Sequence, residues 1–222
     1  MLKNEKHKGD ALLQKSYTVD FLTKKKVINK GEVPQYYVEE SHPAIIDKDT
    51  WEAVQLEMER RKIFEEKHGL QKVDYGIEAN PLAGKIICGQ CGKYIGRRTR
   101  IYKRKEFVWI CSNRYKEKGV IGCNSKIICD EVLYDVFIKA FNSMVEDKEK
   151  YIERWEEELQ SDNVLIKYKA KQFIGILEKY KEPIKEFNTD LLYSMVEKIT
   201  VMNEKKFIVI LIEGTDIDIE IE

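Results

Sequence analysis

A group of cysteines constrains the fold of this 222-residue chain more than any other feature of the sequence. Cys88 and Cys91 form a C-x-x-C pair in which Gly89 and Gly92 permit a tight turn, so both sulfur atoms can face one point. An apolar strand, 85–87, precedes the pair, and a second strand is predicted to follow it. This arrangement is typical of a zinc knuckle on a β-hairpin.

Two later cysteines are predicted to complete the site. Cys111 ends an apolar strand, and 11 residues separate it from Cys123. Four sulfur atoms can surround one tetrahedral ion only if this loop doubles back, which Gly119 and Gly122 allow. Cys129 is the rival fourth ligand, but it follows two β-branched residues and precedes a predicted helix, so we expect it to be buried and unligated. The predicted metal ligands are Cys88, Cys91, Cys111 and Cys123.

The metal is expected to be one structural Zn²⁺ ion. A C-x-x-C pair is also found in redox proteins, but there a helix N-terminus lowers the thiol pKa, whereas strands and glycines flank this pair. A catalytic zinc needs an open coordination position, and four thiolates leave none. A structural ion of this kind contributes folding free energy on the order of 10 kcal/mol.

The charge of the chain is divided by position. Lys plus Arg and Asp plus Glu each number 39, which gives a formal net charge of zero. The chain up to Asp130 nevertheless has 26 basic and 18 acidic residues, and the remainder has 13 and 21. Within residues 85–118 the charge reaches +9. An asymmetry of this size indicates that the first part binds a polyanion.

The most basic stretch, 97–105, lies between the two cysteine pairs and has six Lys or Arg in nine positions. These cations repel one another unless a polyanion is present, so we favour phosphate contacts over a solvated hairpin tip, and Tyr102 offers a stacking or sugar contact. The N-terminal lysines form either phosphate contacts or a solvated edge, and we favour the contacts. The predicted DNA-contacting residues are Lys24, Lys25, Lys26, Lys30, Arg97, Arg98, Arg100, Tyr102, Lys103, Arg104, Lys105 and Arg114.

Turn residues and periodicity predict the N-terminal elements. A strand over 35–39 follows a polar turn, which suggests a hairpin that carries lysines near its tip. A helix that begins near Thr50 is capped by Asp47 or Asp49 and ends near Gly69.

The C-terminal part is predicted to be mainly helical. Apolar residues at helical spacing indicate helices from Asp130 and over 164–180, with a charged helix between them and a short helix over 189–198. Alternation around a turn at 213–214 then predicts a terminal β-hairpin. Its last strand is expected at the edge of a sheet, with outward acidic residues that discourage further pairing, namely Asp216, Asp218 and Glu220.

Several further motifs occur in a fixed order along the chain. Besides the cysteine ribbon, they are the segments Gly9 to Lys15, Thr18 to Leu22, Asn29 to Tyr36, His42 to Ile46, Glu197 to Val201 and Glu213 to Thr215. Together they resemble the C-terminal part of the large serine recombinases, which are the integrases of phages and mobile elements. The likeness extends over nearly the whole chain.

The resemblance implies a fold of class α+β. A small mixed hairpin and helix domain would be followed by a zinc β-ribbon with a helical, short coiled-coil insertion and a terminal β-hairpin. The implied domains are the C-terminal part of the recombinase domain, a linker, the zinc β-ribbon, the helical segment, and a helix with the hairpin that completes the zinc domain. Their ranges are 1–70, 71–81, 82–130, 131–188 and 189–222.

The resemblance also implies a function. The chain would be the DNA-binding portion of a serine site-specific recombinase, which recognises attachment-site DNA during integration or excision of a mobile element. The catalytic domain of the family needs well over a hundred residues before the match to Gly9 and Asp10, where this chain has eight. We therefore assign no catalytic residue and expect no DNA cleavage by the chain alone.

The helical segment leaves a second hypothesis open. It is shorter than the coiled coil of the family, and it is a candidate surface for self-association or for a directionality factor, although Trp155 and Phe173 fit packing better. In the alternative function, the chain is a zinc-stabilised protein-interaction module that docks a partner through its acidic helical half. No signal peptide or membrane span is visible, so we expect a cytoplasmic, nucleoid-associated protein of bacterial or phage origin without membrane or small-molecule partners.

Overall fold

The computed structural model describes residues 2–70, 79–101, 105–115, 118–120 and 122–221. The chain divides into two compact units, Met1–Arg60 and Arg61–Glu222. Helices and small separate sheets are present in both, which confirms the predicted α+β class. Most of the predicted linker, 71–81, lies outside the described residues.

The first unit contains two antiparallel strand pairs. β1 (Ala11–Leu13) pairs with β4 (Tyr36–Val38), and β2 (Ser16–Asp20) pairs with β3 (Lys25–Ile28). A hairpin with lysines near its tip is therefore present, but it consists of β2 and β3. The strand of Tyr36 and Tyr37, β4, does not belong to it.

The side chain of Asn29 explains this difference. Its Nδ2 donates to the carbonyls of Gln14 and Val33 at 2.9 and 2.6 Å, and its Oδ1 accepts from the backbone N–H of Gly31 at 2.9 Å. These bonds shape the segment after β3 into a loop instead of a tight hairpin turn. The loop returns the chain to β1.

A buried carboxylate organises the first unit. Asp10, 1% exposed, accepts from the Tyr37 hydroxyl at 2.5 Å and from the backbone N–H of Glu40 at 3.0 Å, and it pairs with Lys8 at 2.9 Å. The Lys8 ammonium also lies 4.6 Å from the centre of the Trp51 ring. The Tyr37 hydroxyl, the Glu40 N–H and Lys8 lower the pKa of Asp10 well below its usual range, because all three favour the charged form.

Helix α1 (Lys48–His68) has both of the predicted end signals. Asp47 accepts from the backbone N–H of Thr50 at 2.8 Å and from its hydroxyl at 2.7 Å, so Asp47 is the cap. At the other end, Gly69 has φ +71°, and the N–H of Leu70 bonds to the carbonyl of Glu65 at 2.9 Å. This is the glycine-terminated helix end that the sequence predicts.

Two sheets form the β-structure of the second unit. The strands are β5 (Ile86–Cys88), β6 (Ile95–Ile101), β7 (Lys105–Cys111), β8 (Ile128–Cys129), β9 (Val196–Val201), β10 (Lys206–Leu211) and β11 (Asp216–Glu220). An antiparallel sheet has the order β6, β7, β8, and a larger sheet has the order β11, β10, β9, β5. The terminal hairpin is β10 and β11, and β11 is an edge strand with the predicted exposed acidic residues.

The prediction of a helix over 189–198 is wrong at its C-terminal end. Helix α5 (Thr189–Met195) stops, and the chain continues directly into β9. β9 lies inside the larger sheet, antiparallel to β10 and parallel to β5. Its pairing with β5 joins segments about a hundred residues apart, so local propensity could not reveal it.

Three helices follow β8 along the chain, before the short α5, as predicted. They are α2 (Asp130–Glu146), α3 (Lys148–Glu158) and α4 (Val164–Lys179). The apolar face of α2, including Leu133 and Phe137, is buried in the core with residues of the larger sheet such as Ile199 and Val209. Helix α2 therefore packs against the sheet that contains Cys88.

The helical pair α3 and α4 packs into this same core. The rings of Trp155 and Phe173 are 0% and 1% exposed and stack with their centres 4.8 Å apart. The Trp155 indole N–H donates to Glu213 at 3.1 Å, in the turn of the terminal hairpin. These two residues are packing residues, and the coiled-coil geometry of the pair stays a prediction.

Among the described residues, no helix combines the length and apolar character that a membrane span requires.

Candidate metal centre and basic hairpin

Four cysteine side chains converge at one end of the ribbon. The sulfur atoms of Cys88, Cys91, Cys111 and Cys123 all lie within 4.8 Å of one another. Cys88 and Cys123 are 3.7 Å apart, Cys91 and Cys111 are 3.4 Å apart, and all four thiols are free. Thiolates about 2.3 Å from a tetrahedral Zn²⁺ ion lie about 3.8 Å from each other. The donor set therefore fits a four-thiolate zinc site.

The C-x-x-C turn depends on backbone geometry that glycine supplies. The N–H of Gly92 bonds to the carbonyl of Cys88 at 2.8 Å, and Gly92 has φ +70°. Gly89 donates its N–H to the carbonyl of Val201 at 2.9 Å, and an added Cβ would lie 2.8 Å from that oxygen. Gly92 therefore permits the turn, and Gly89 permits its close approach to β9.

The described residues between Cys111 and Cys123 show the predicted return of the chain. The N–H of Gly122 bonds to the carbonyl of Arg114 at 3.0 Å. An added Cβ at Gly122 would lie 2.4 Å from the carbonyl oxygen of Asn113, so only glycine fits there. This crossing brings Cys123 beside Cys88.

The thiols differ in their acidity. Burial raises the pKa of Cys91 and Cys111. Burial also acts to raise the pKa of Cys123, but the backbone N–H and side chain of Ser125 and the neighbouring thiols outweigh it and lower the value to about 7. A metal ion would bind the deprotonated sulfurs, so its binding would release protons from Cys91 and Cys111.

Cys129 lies apart from this cluster, and the prediction of its burial is wrong. Cys129 is exposed, whereas its neighbour Ile128 is 4% exposed. Both belong to β8, where successive side chains point to opposite faces, and the inward position is taken by Ile128.

Arg97 lies within the domain and forms its main contacts there. Its guanidinium donates to both carboxylate oxygens of Asp130, and it stacks 3.9 Å from the centre of the Phe107 ring. Asp130 also accepts from the Trp109 indole N–H at 2.6 Å. The side chains of Arg97 and Asp130 are only 15% and 11% exposed. This group links β6 and β7 to the start of α2.

The other basic residues of the ribbon hairpin that the structure describes are exposed. Arg98 and Arg100 lie on one face of β6, and Lys105 begins β7. Arg100 is 57% exposed at its side chain and lies 3.8 Å from Glu106. Three residues predicted to contact DNA lie outside the described residues, namely Tyr102, Lys103 and Arg104.

Arg114 is also engaged within the domain. Its guanidinium donates to the carbonyl of Ser125 and to the Tyr115 hydroxyl, the latter at 3.2 Å. Because Ser125 lies two residues after Cys123, this contact ties the two ends of the cysteine loop together.

In the first unit, the lysines predicted to contact DNA are all exposed, namely Lys24, Lys25, Lys26 and Lys30.

Sequence reasoning overlooked two residues of the metal centre and its surroundings. Asp130 is predicted from the sequence only as the start of a helix, and the acidic residue that follows it, Glu131, makes it look like an ordinary first-turn carboxylate. His68 is 5% exposed, and its Nδ1 lies 2.7 Å from the carbonyl of Gly92 in the C-x-x-C turn. Burial lowers the pKa of His68. Its neighbours in the sequence give no indication of this contact.

The fold and the cysteine cluster define the second unit as a zinc-ribbon domain with a helical insertion. Residues 81–142 match the family model of the recombinase zinc beta ribbon domain, and residues 1–61 match that of the recombinase domain. The two ranges together include more than half of the chain. The chain therefore belongs to the recombinase family, as its resemblance to the large serine recombinases predicts.

Two solved structures are similar to the chain. One, described as the crystal structure of a complex of an LSR with DNA, has 14% identity and a TM-score of 0.45, covering 96% of this chain and 74% of that one. The other comes from work on the sequence requirements of the Listeria innocua prophage attP site. It has 14% identity and a TM-score of 0.38, covering 95% of this chain and 65% of that one. No curated protein matches the chain.

Proposed function

We propose that this chain is the DNA-binding portion of a serine site-specific recombinase that recognises attachment-site DNA. Its role would be in integration or excision of a mobile element of bacterial or phage origin. Membership of the recombinase family supports this proposal, and so does the excess of positive charge before Glu131. We assign no catalytic residue to the chain.

The observation that carries the proposal is the way the cysteine cluster supports a basic hairpin. Cys111 ends β7 and Cys91 precedes β6, so a metal bound there would fix the base of the hairpin. Arg98 and Arg100 lie exposed on one face of its strands. We propose that one structural Zn²⁺ ion is held by all four clustered cysteines and that it orients these arginines towards phosphates.

The proposed contact set follows from exposure. We propose Arg98, Arg100 and Lys105 as ribbon contacts, and Arg97 and Arg114 as residues that position the hairpin and the cysteine loop. Lys24, Lys25, Lys26 and Lys30 are proposed contacts from the first unit, and Tyr102, Lys103 and Arg104 stay predictions from the sequence.

An electrophoretic mobility shift tests the function. The zinc-loaded protein is incubated with a duplex recovered by repeated selection from a randomised library, and with a scrambled duplex of equal composition. We expect preferential binding of the selected duplex and a steep loss of affinity with salt, because phosphate contacts release counterions. Equal, weak binding to both duplexes would contradict recognition of a specific site.

Charge-removing variants test the ribbon contacts. Arg98→Gln and Arg100→Gln should each reduce the slope of log affinity against log salt by about one, as loss of a single phosphate contact does. Lys150→Gln is the matched control, because Lys150 is an exposed cation on α3. If the chain is instead a protein-interaction module, all three variants should behave alike towards DNA.

The helical segment is the proposed surface for self-association or for a directionality factor. Trp155 and Phe173 are excluded from such a surface by their burial. Light scattering of the free protein and of the DNA complex tests this proposal, and a monomer in both states would contradict self-association.

A further inference from the structure

The tip of the β2–β3 hairpin displays two apolar side chains to solvent. Phe21 is 90% exposed and Leu22 is 87% exposed, which are the two highest values among the large hydrophobic residues in the described part of the chain. They are adjacent in sequence, and we call them the tip pair. An exposed aromatic and an exposed leucine side by side mark an interaction site more strongly than isolated apolar residues do.

The turn that presents the tip pair is held by one carboxylate. Asp20 accepts from the backbone N–H of Leu22 at 3.0 Å, and from the N–H and the hydroxyl of Thr23 at 3.2 and 2.6 Å. Lys24 then adopts φ +52° and returns the chain into β3. The tip pair is therefore presented on a defined turn, and ordering it on binding costs little entropy.

The charge around the tip pair is positive. Lys24, Lys25 and Lys26 follow it after Thr23 and are all exposed. Asp20 is the acidic residue of the segment 16–28, and its carboxylate accepts hydrogen bonds inside the turn. The surface therefore complements a ligand that presents anions beside an apolar interior.

Duplex DNA has this chemistry, because phosphates line the grooves that lead to the stacked bases. Proteins that bend DNA often insert Phe or Leu between base pairs while cations hold the flanking backbone. Anionic membranes and acidic protein surfaces share part of this chemistry, but the recombinase family match and the second basic hairpin favour DNA as the ligand.

We propose that the tip pair is a wedge that enters between base pairs of the bound DNA, while the three lysines contact phosphates beside it. This inference rests on the proposed function. Insertion unstacks a base step and kinks the duplex, so the contacted step should be a deformable pyrimidine–purine step such as TA or CA.

A tryptophan reporter tests insertion directly. Trp109 and Trp155 are buried, and Trp51 is partly buried, so Phe21→Trp adds a strongly exposed indole. Ile28→Trp is the matched control, since Ile28 is 71% exposed on the same hairpin but lies at its other end, opposite Ser16. With the selected duplex, we expect quenching by acrylamide to fall severalfold for Phe21→Trp and to change little for Ile28→Trp.

Affinity and base stacking give a second measurement. Phe21→Ala/Leu22→Ala should lose about five- to a hundredfold in affinity for the selected duplex, the range expected for loss of one base–aromatic stack. Ile28→Ala should bind as the unmodified protein does. The fluorescence of 2-aminopurine placed at the contacted step of the duplex should increase when the unmodified protein binds. It should not increase when the double variant binds. Unchanged circular dichroism verifies that the variants are folded.

The outcomes separate the wedge from the function on which it rests. Unchanged affinity of the double variant, with the new indole still accessible in the complex, would overturn the wedge and leave DNA binding intact. Failure of the unmodified protein to bind any duplex would overturn both. Shielding of the indole by phosphatidylglycerol vesicles but not by DNA, or by raising the protein concentration alone, would assign the tip pair to a membrane or to a second copy of the chain.

Discussion

The two basic hairpins of this chain expose similar charges but are stabilised in different ways. The ribbon hairpin, β6 with β7, ends in the cysteine cluster and has Trp109 buried and Arg97 paired with Asp130. The β2–β3 hairpin has no buried residue among those of its two strands, and its turn is held by Asp20. The first hairpin thus has a core and a cysteine cluster that fits a metal ion, whereas the second has backbone pairing and its turn. The two should respond differently to the same perturbation.

Removal of the metal should cause the largest difference in stability between the two hairpins. Chelation of zinc should destabilise the ribbon by on the order of 10 kcal/mol, because the four cysteines would lose the ion that holds them together. Hydrogen exchange measured by mass spectrometry should show lost protection in 95–111 and unchanged protection in 16–28. Equal loss of protection in both hairpins would contradict a metal site confined to the ribbon.

Cysteine variants identify the ligands. Elemental analysis should find one zinc ion per chain in the unmodified protein and in Cys129→Ser, because Cys129 lies outside the cluster. Cys123→Ser should lose the ion. The opposite pattern would make Cys129 the fourth ligand.

Loss of the Asp130 carboxylate should have the next largest effect. Asp130→Asn keeps the shape of the side chain but leaves the largely buried Arg97 guanidinium without its counter-ion, which should cost about 3–5 kcal/mol. Urea unfolding of the zinc-loaded protein measures this change. Asp135→Asn, at an exposed position on the same helix, should change stability by less than about 0.5 kcal/mol. Equal effects of the two variants would show that the Arg97 pair has no special role.

Acid should have a smaller, local effect on the β2–β3 hairpin. The Thr23 hydroxyl and the N–H of Leu22 lower the pKa of Asp20, because they favour the carboxylate. A lowered pKa stabilises the turn above the ordinary Asp value of about 3.9, and this stabilisation is lost as the pH falls through the lower folded value. Amide exchange at Leu22 and Thr23 should therefore lose protection as acid is added.

Asp20→Asn supplies the control for this titration. The amide retains one oxygen acceptor but cannot ionise, so the variant should start with weaker protection and show no acid dependence at these amides. The same acid dependence in the variant would assign the effect to another group.

The sequence predicted the parts of the fold that depend on neighbouring residues. Asp47 and Gly69 mark the ends of α1 as expected, and the alternation of β10 and β11 located the terminal hairpin. It did not reveal β9, because the partner that makes this segment a strand is the distant β5. The bond from the Asn29 side chain to the carbonyl of Gln14 also joins residues that are not neighbours in the sequence, and it helps to shape the loop that returns the chain to β1.

The candidate site shows the same limit. Cysteine spacing was sufficient to select the four sulfurs that converge, since a metal site needs particular atoms at one point. Charge was a weaker guide, because Arg97 and Arg98 are adjacent in sequence yet one is paired with Asp130 and the other is exposed. A run of basic residues therefore indicates a positively charged surface. The alternation of side chains along the strand and the position of α2 determine which of these residues face solvent.

The parallel pairing of β5 with β9 also sets an order of events during synthesis. The Lys85 ammonium beside β5 bonds to the carbonyl of Val196 in β9, a residue 111 positions later in the chain. At translation rates of about 5–20 residues per second, roughly 5 to 20 seconds pass before the ribosome has made this partner. During that interval, the strand that ends in Cys88 has no neighbour at the edge that β9 will cover. The four clustered cysteines of a nascent chain can therefore come together before the larger sheet is complete.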